Sequence, residues 1–80
     1  MRFKEGQIVV LVKDIITPNK EKSPWMKYFG TPCSIKRIMG YNNIFKQTEY
    51  VIDKIGPHHN IFCLEDELME LYKFKKLRFI

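Results

Sequence analysis

Cys33-Ser34-Ile35-Lys36-Arg37-Ile38-Met39 is the stretch on which the fold turns. Successive side chains of an extended strand point to opposite faces, so Cys33 and Ile35 share one face while Ile38 is out of phase by one residue. A bulge or sharp bend between Ile35 and Ile38 returns all three to one core, and a strand bent in this way belongs to a strongly curved sheet. Gly40-Tyr41-Asn42-Asn43 follows with the chemistry of a turn, since Gly and Asn tolerate positive φ. Thr48 to Ile55 then reads as the antiparallel partner, with Tyr50 and Ile52 facing inward and Gly56-Pro57 ending it.

On the N-terminal side, Gln7-Ile8-Val9-Val10-Leu11-Val12 is rich in β-branched residues behind Gly6 and reads as a first strand. Ile8, Val10 and Val12 make its expected inward set. From Asp14 to Pro32 runs a long connection with Pro18, Pro24, Gly30 and Pro32, which admits no regular helix or central strand. On the C-terminal side, Asn60 to Leu64 is a short fourth strand, Glu65 to Leu68 a single helical turn, and Met69 to Tyr72 a last strand. A competing reading makes 65 to about 76 one helix. Acids at 65–67 and bases at 73–78 complement a helix dipole, and Leu64, Leu68, Leu71 and Lys75 fall on one helical face. Short strands punctuated by turns predict a small all-β barrel of five strands.

The order of these pieces carries a resemblance. Gly6-x-Ile8-x-Val10-x-Val12, a long loop, Cys33-x-Ile35-x-x-Ile38, a turn, Tyr50-Val51-Ile52, and Phe62-x-Leu64-Glu65-Asp66-Glu67-Leu68-Met69-Glu70-Leu71 together resemble the SH3-like barrel of small bacterial and phage proteins, such as those carried by prophages of Bacillus-like bacteria. The resemblance covers roughly residues 6–72. It departs from the family where Thr31-Pro32-Cys33 stands in place of the usual Gly before the second strand. It implies a five-stranded SH3-like barrel with a long first loop and a short helical turn before the last strand. It implies no catalytic residue, because SH3-like barrels host binding of many kinds. On this reading residues 1–72 form the barrel domain and 73–80 a basic, apolar tail.

Eighty residues suffice for one domain with a compact core. The charges at Arg2, Lys4 and Glu5 stand where a secretory leader needs an apolar stretch, and the longest apolar run, Ile8 to Val12, is far short of a membrane span. Cys33 and Cys63 are therefore expected as reduced, apolar core residues of a cytoplasmic protein. The net charge is +5 and is segregated: residues 65–72 hold four acids and no base, and residues 73–80 four bases and no acid. A basic balance suits nucleic acid or an acidic protein face, and it also serves solubility alone.

Ser23-Pro24-Trp25-Met26-Lys27-Tyr28-Phe29-Gly30 concentrates three aromatic rings in a loop that would flank the ligand groove of an SH3-like barrel. Trp25, Tyr28 and Phe29 are the expected anchors for a protein partner, with Lys27 at the rim. The competing reading folds some of these rings back onto the barrel end. Lys36, Arg37, Tyr41 and Lys46, with Lys73, Lys75, Lys76 and Arg78 of the tail, form the alternative, a nucleic-acid surface of rings and cations. His58-His59 with the two cysteines invites a metal site, yet adjacent residues of a strand face opposite ways. Cys33, a histidine and Asp53 make a catalytic triad only on paper, since nothing nearby activates the thiol. No metal, cofactor or enzymatic activity is expected. Phe74, Leu77, Phe79 and Ile80 need cover from the barrel itself, from a second copy in a homodimer, or from a partner.

Overall fold

The computed structural model describes residues 2–15 and 25–78. Five strands, β1 (Ile8–Leu11), β2 (Pro32–Asn42), β3 (Gln47–Ile55), β4 (His58–Leu64) and β5 (Leu68–Glu70), form one sheet in the order β4-β3-β2-β1-β5. Every neighbouring pair is antiparallel. A 3₁₀ turn at Met26–Tyr28 precedes β2, another at Glu65–Glu67 precedes β5, and helix α1 (Leu71–Arg78) ends the described chain. The sheet is open, with β4 and β5 as its edges, so the expected β-rich five-strand architecture stands without closure of the strands into a hydrogen-bonded barrel.

The sheet owes its curvature to β2, which pairs with β1 at one end and with β3 along the rest. Its register slips between Ile35 and Arg37 and again between Ile38 and Gly40. The first slip is the bulge demanded by the phase error between Ile35 and Ile38. The second uses Gly40, at φ 110°, inside the strand. The turn expected at Gly40–Asn43 therefore begins later. Asn42 Oδ1 accepts the N–H groups of Ile44 and Phe45 at 2.9 and 3.0 Å, and the Lys46 N–H donates to the Asn42 carbonyl at 2.7 Å. An asparagine side chain that mimics a backbone turn captured the reversal, leaving Gly40 to bulge.

The core joins Phe3, Val9, Leu11, Cys33, Ile35, Tyr50, Ile52, Ile55, Ile61, Cys63 and Leu68. Tyr50 and Ile52 point inward as expected. The inward set of β1 is corrected from Ile8, Val10 and Val12 to Val9 and Leu11, and Ile8 is exposed. Val10 is also fully buried, on the other face, where α1 packs against β1. With both faces covered, an unbroken apolar run carries no phase information.

The C-terminal segment holds the expected helical turn, at Glu65–Glu67, and the expected last strand, which spans Leu68–Glu70 instead of Met69–Tyr72 and gives way to a helix at Leu71; the competing helix from 65 to 76 is not formed. Glu67 is buried, and its carboxylate accepts the N–H of Leu64 at 2.6 Å and of Ile15 at 2.8 Å. That bidentate hold pins Glu65–Glu67 as a separate turn, after which Leu68 pairs with Leu11 and enters the core. Only past Glu70 is the chain free to coil. Lys73 to Arg78, expected as a tail, continue the helix begun at Leu71.

A second polar hold ties the start of the chain to the same region. Tyr50 Oη accepts the N–H groups of Arg2 (3.2 Å) and Phe3 (3.3 Å) and donates to Glu65 Oε1 at 2.7 Å. Glu65 Oε1 also accepts the Arg2 N–H at 2.8 Å. The Phe3 ring meets Tyr50 edge-on at 5.4 Å. Burial, with the hydrogen bond to Glu65, raises the Tyr50 phenol above its ordinary range. Partial burial works against ionisation of Glu65, but the Tyr50 and Arg2 hydrogen bonds and the Arg2 charge outweigh it and hold that carboxyl below its ordinary range.

Candidate functional site

Residues 25–31 return the chain to the sheet through short backbone bonds: Tyr28 N–H to the Trp25 carbonyl, Thr31 N–H to the Tyr28 carbonyl and Gly30 N–H to the Leu11 carbonyl, each 2.9 Å. Gly30 takes φ 87° and lies against Phe74 of α1, where a Cβ would stand 3.1 Å from the ring. This anchoring presents the aromatic residues to the β3–β4 turn. The His58 ring is met edge-on by Trp25, with centroids 5.0 Å apart, and by Tyr28 at 5.7 Å. Tyr28 also lies directly over Gly56, close enough that a Cβ there would sit 2.5 Å from Cε1.

Trp25, Tyr28 and Phe29 are all half-buried and packed against the core cluster. The structure thus brings the three expected anchors onto the sheet as partly buried residues. Lys27 is exposed, its Nζ 5.3 Å from the centre of the Tyr28 ring, a cation–π distance.

Of these four residues, Trp25 alone lines a groove beside the sheet. That groove, about 390 Å³, runs along β4 from His58 to Cys63, with Leu11, Asp14 and Glu67 on its far side and Trp25 at the His58 end. Phe62 lies at its outer lip and is 53% exposed although it sits in mid-strand. Asp14 and Glu67, the only acids buried among the described residues, both reach its wall. The sequence reading missed Phe62, His58 and these acids as site residues. Alternation around the inward Ile61 and Cys63 was the one available signal, and it sends Phe62 outward.

The residues of the nucleic-acid alternative fall on three elements. Lys36 and Arg37 are exposed at the first bulge of β2, and Lys36 Nζ donates to Asn60 Oδ1 at 2.7 Å. Tyr41 is exposed near the end of β2, and Lys46 lies in the turn that follows. Lys73, Lys75 and Lys76 are exposed on α1, with Lys73 3.6 Å from Glu70, and Arg78 is the last residue of that helix. Phe74 is half-buried and Leu77 is exposed, while Phe79 and Ile80 lie outside the described residues.

Cys33 and Cys63 are buried free thiols. Burial pushes Cys33 up to about 11. Cys63 is raised further, by burial first and then by the charge of Glu67. Both are neutral at physiological pH and are poor nucleophiles there. Among the described residues, no group of three or more His, Cys, Asp or Glu is placed to hold a metal ion, and no helix is long and apolar enough to cross a membrane. A scan of protein-family models and searches of curated proteins and of solved structures returned no match to this chain.

Proposed function

We propose that this chain is a small, non-enzymatic binding module on an SH3-like barrel plan, acting in the cytoplasm as a phage-type accessory or regulatory protein that contacts a host protein. The observation that carries this reading is the Trp25–His58–Tyr28 cluster beside a groove lipped by the exposed Phe62. Rigid aromatic side chains, already held by backbone and ring contacts, give contact area at small entropic cost on binding. The strand order, with β5 beside β1 and a 3₁₀ turn between β4 and β5, agrees with the SH3-like plan. The inert, buried thiols agree with a role that involves no cysteine chemistry.

The test is affinity capture with wild-type protein and Trp25→Ala, with thermal unfolding run alongside. A partner held by the wild type should be lost from Trp25→Ala while a cooperative transition remains. Retention of the partner by a folded Trp25→Ala would refute the reading.

The second reading is nucleic-acid binding, favoured by the three exposed lysines that α1 gathers within two turns. Fluorescence anisotropy of labelled single- and double-stranded oligonucleotides at several salt concentrations separates the two. Phosphate-led binding must fall steeply with salt, at a slope of ~0.9 per neutralised phosphate on duplex DNA. An aromatic-anchored protein contact changes far less.

A further inference from the structure

The hairpin of β2 and β3 outruns the strands beside it. The last β3–β4 pair is Glu49 with Leu64, and β1 meets β2 at 32–34. Past Glu49 the pairs Tyr41–Thr48 and Asn42–Gln47 continue as a two-stranded ribbon, closed by the turn at 43–46. The ribbon is braced. Asn42 Oδ1 and the Asn42 carbonyl fix the turn, and at the foot Gln47 Oε1 accepts the Asp66 N–H at 2.7 Å.

Ile44 stands in that turn at 84% exposure, the highest of any large apolar side chain among the described residues. Tyr41 and Met39, on the strand leading to it, are exposed too. A lone surface isoleucine is ordinary. An isoleucine on a braced, projecting tip, where Gly, Asn, Asp or Ser would serve the turn, has the form of a wedge. The surrounding charge has one sign: from Pro32 to Thr48 the chain carries Lys36, Arg37 and Lys46 and no acid. Lys36 donates to the neutral Asn60 amide and keeps its charge. Glu49 and Asp66 come in only at the foot, where Asp66 lies 3.9 Å from Arg2.

We propose that this hairpin is a second binding surface, for duplex DNA, with Ile44 inserted at a base step from the minor groove and Lys46 and Arg37 on the flanking phosphates. Apolar wedges enter duplexes in this way, and Asn and Lys, the types present in the same turn at Asn43 and Lys46, contact the floor and walls of that groove. The inference goes beyond the protein-contact reading and does not depend on it. The Trp25–Tyr28–His58 cluster sits at the β3–β4 turn, the other end of β3, roughly 25 Å away along that strand.

A duplex answers both features of the tip. An apolar pocket on a protein would accept Ile44 but would give the cations of the ribbon no role. Two copies of this chain meeting tip to tip would set Lys46 and Arg37 against their like. Stacked bases offer an apolar gap framed by anions.

The test uses the full-length protein and a short duplex with 2-aminopurine at a central TpA step, a step that unstacks readily. Anisotropy should show binding that weakens with salt, and 2-aminopurine fluorescence should rise as the base unstacks. Ile44→Ser, remote from the core, should keep the thermal transition and the salt slope, lose the fluorescence rise and bind about tenfold more weakly. Lys46→Gln should lower the salt slope by about one. No duplex binding at low salt would overturn the proposal. So would binding in which 2-aminopurine stays quenched, or in which Ile44→Ser matches the wild type. Binding lost on replacing Lys73, Lys75 and Lys76 with Gln, yet unchanged in Lys46→Gln, would move the DNA to α1. If Ile44→Ser loses a protein partner while the wild type binds no duplex, the tip belongs to a protein contact instead.

Discussion

Replacing Gly56 with Ala would place a methyl group 2.5 Å from Cε1 and 2.7 Å from Cζ of Tyr28, on a residue held at φ 58°. Two costs follow. A left-handed conformation costs an L-residue about 1–2 kcal/mol. Forcing a methyl into a filled contact costs about 1–3 kcal/mol more, because either Tyr28 leaves its seat or the β3–β4 turn shifts. The sum, about 2–5 kcal/mol, corresponds to a fall in Tm of at least ~8 °C in a domain of this size. Gly6 supplies an internal control. It sits at φ 84° with nothing within 4 Å of an added Cβ, so Gly6→Ala bears the conformational cost alone. The assay is thermal and urea denaturation by circular dichroism on Gly6→Ala, Gly56→Ala, Tyr28→Ala and the Gly56→Ala/Tyr28→Ala pair. In the Tyr28→Ala background, Gly56→Ala should cost no more than Gly6→Ala does in the wild type. If it costs the same with and without the ring, Tyr28 is not seated on Gly56 and the proposed preorganisation of the aromatic cluster fails with it.

Tyr50→Phe removes one hydroxyl that serves Arg2, Phe3 and Glu65. It should cost about 1–3 kcal/mol, and fast amide exchange at Arg2 and Phe3 should report the loss. Glu65 has a folded-state pKa below its ordinary value, so its stabilisation is present above the unfolded carboxylate range, near ~4.3, and is lost as pH falls through the folded value. Glu65→Gln should therefore be less stable than wild type at pH 7, and the gap in Tm should close as the pH is lowered past ~4; a gap that widens in acid would contradict the assignment. Cys33 and Cys63 should resist a disulfide reagent at pH 8 in the folded protein and react together once urea unfolds it, and fast labelling of either thiol in native buffer would show its burial to be wrong.

What the sequence disclosed, and what it withheld, follows from the range of the forces involved. The bulge in β2 was legible because Ile35 and Ile38 lie in one strand and their phase conflict is local. The inward face of β1 was not, because α1 covers the side that solvent would otherwise have marked with polar residues. The helical turn at 65–67 and the strand after it were legible in order, but the competing helix from 65 stayed open, because the bond that excludes it joins Glu67 to Ile15, 52 positions away. No periodicity within 65–78 contains that bond. Trp25 and its neighbours were legible as a cluster of rings, yet their meeting with His58 across the β3–β4 turn, and the groove it borders, arise only when the sheet folds.

The pairing of β1 with β5 bears on the order in which the chain assembles. The β2–β3 turn joins residues as close as Asn42 and Gln47, whereas Val9 must find Glu70. Closing the longer loop costs about 2 kcal/mol more chain entropy than the hairpin, on a logarithmic scaling with loop length. The β2–β3–β4 meander is therefore expected to form first as the kinetic nucleus, and the β1–β5 seam to zip last. Substitutions at Val9 or Leu68 should then leave the refolding rate nearly untouched and express their cost in faster unfolding. The hold of Tyr50 and Glu65 on Arg2 and Phe3 would act as a latch that slows escape from the native state, lengthening the lifetime of the fold more than hastening its birth.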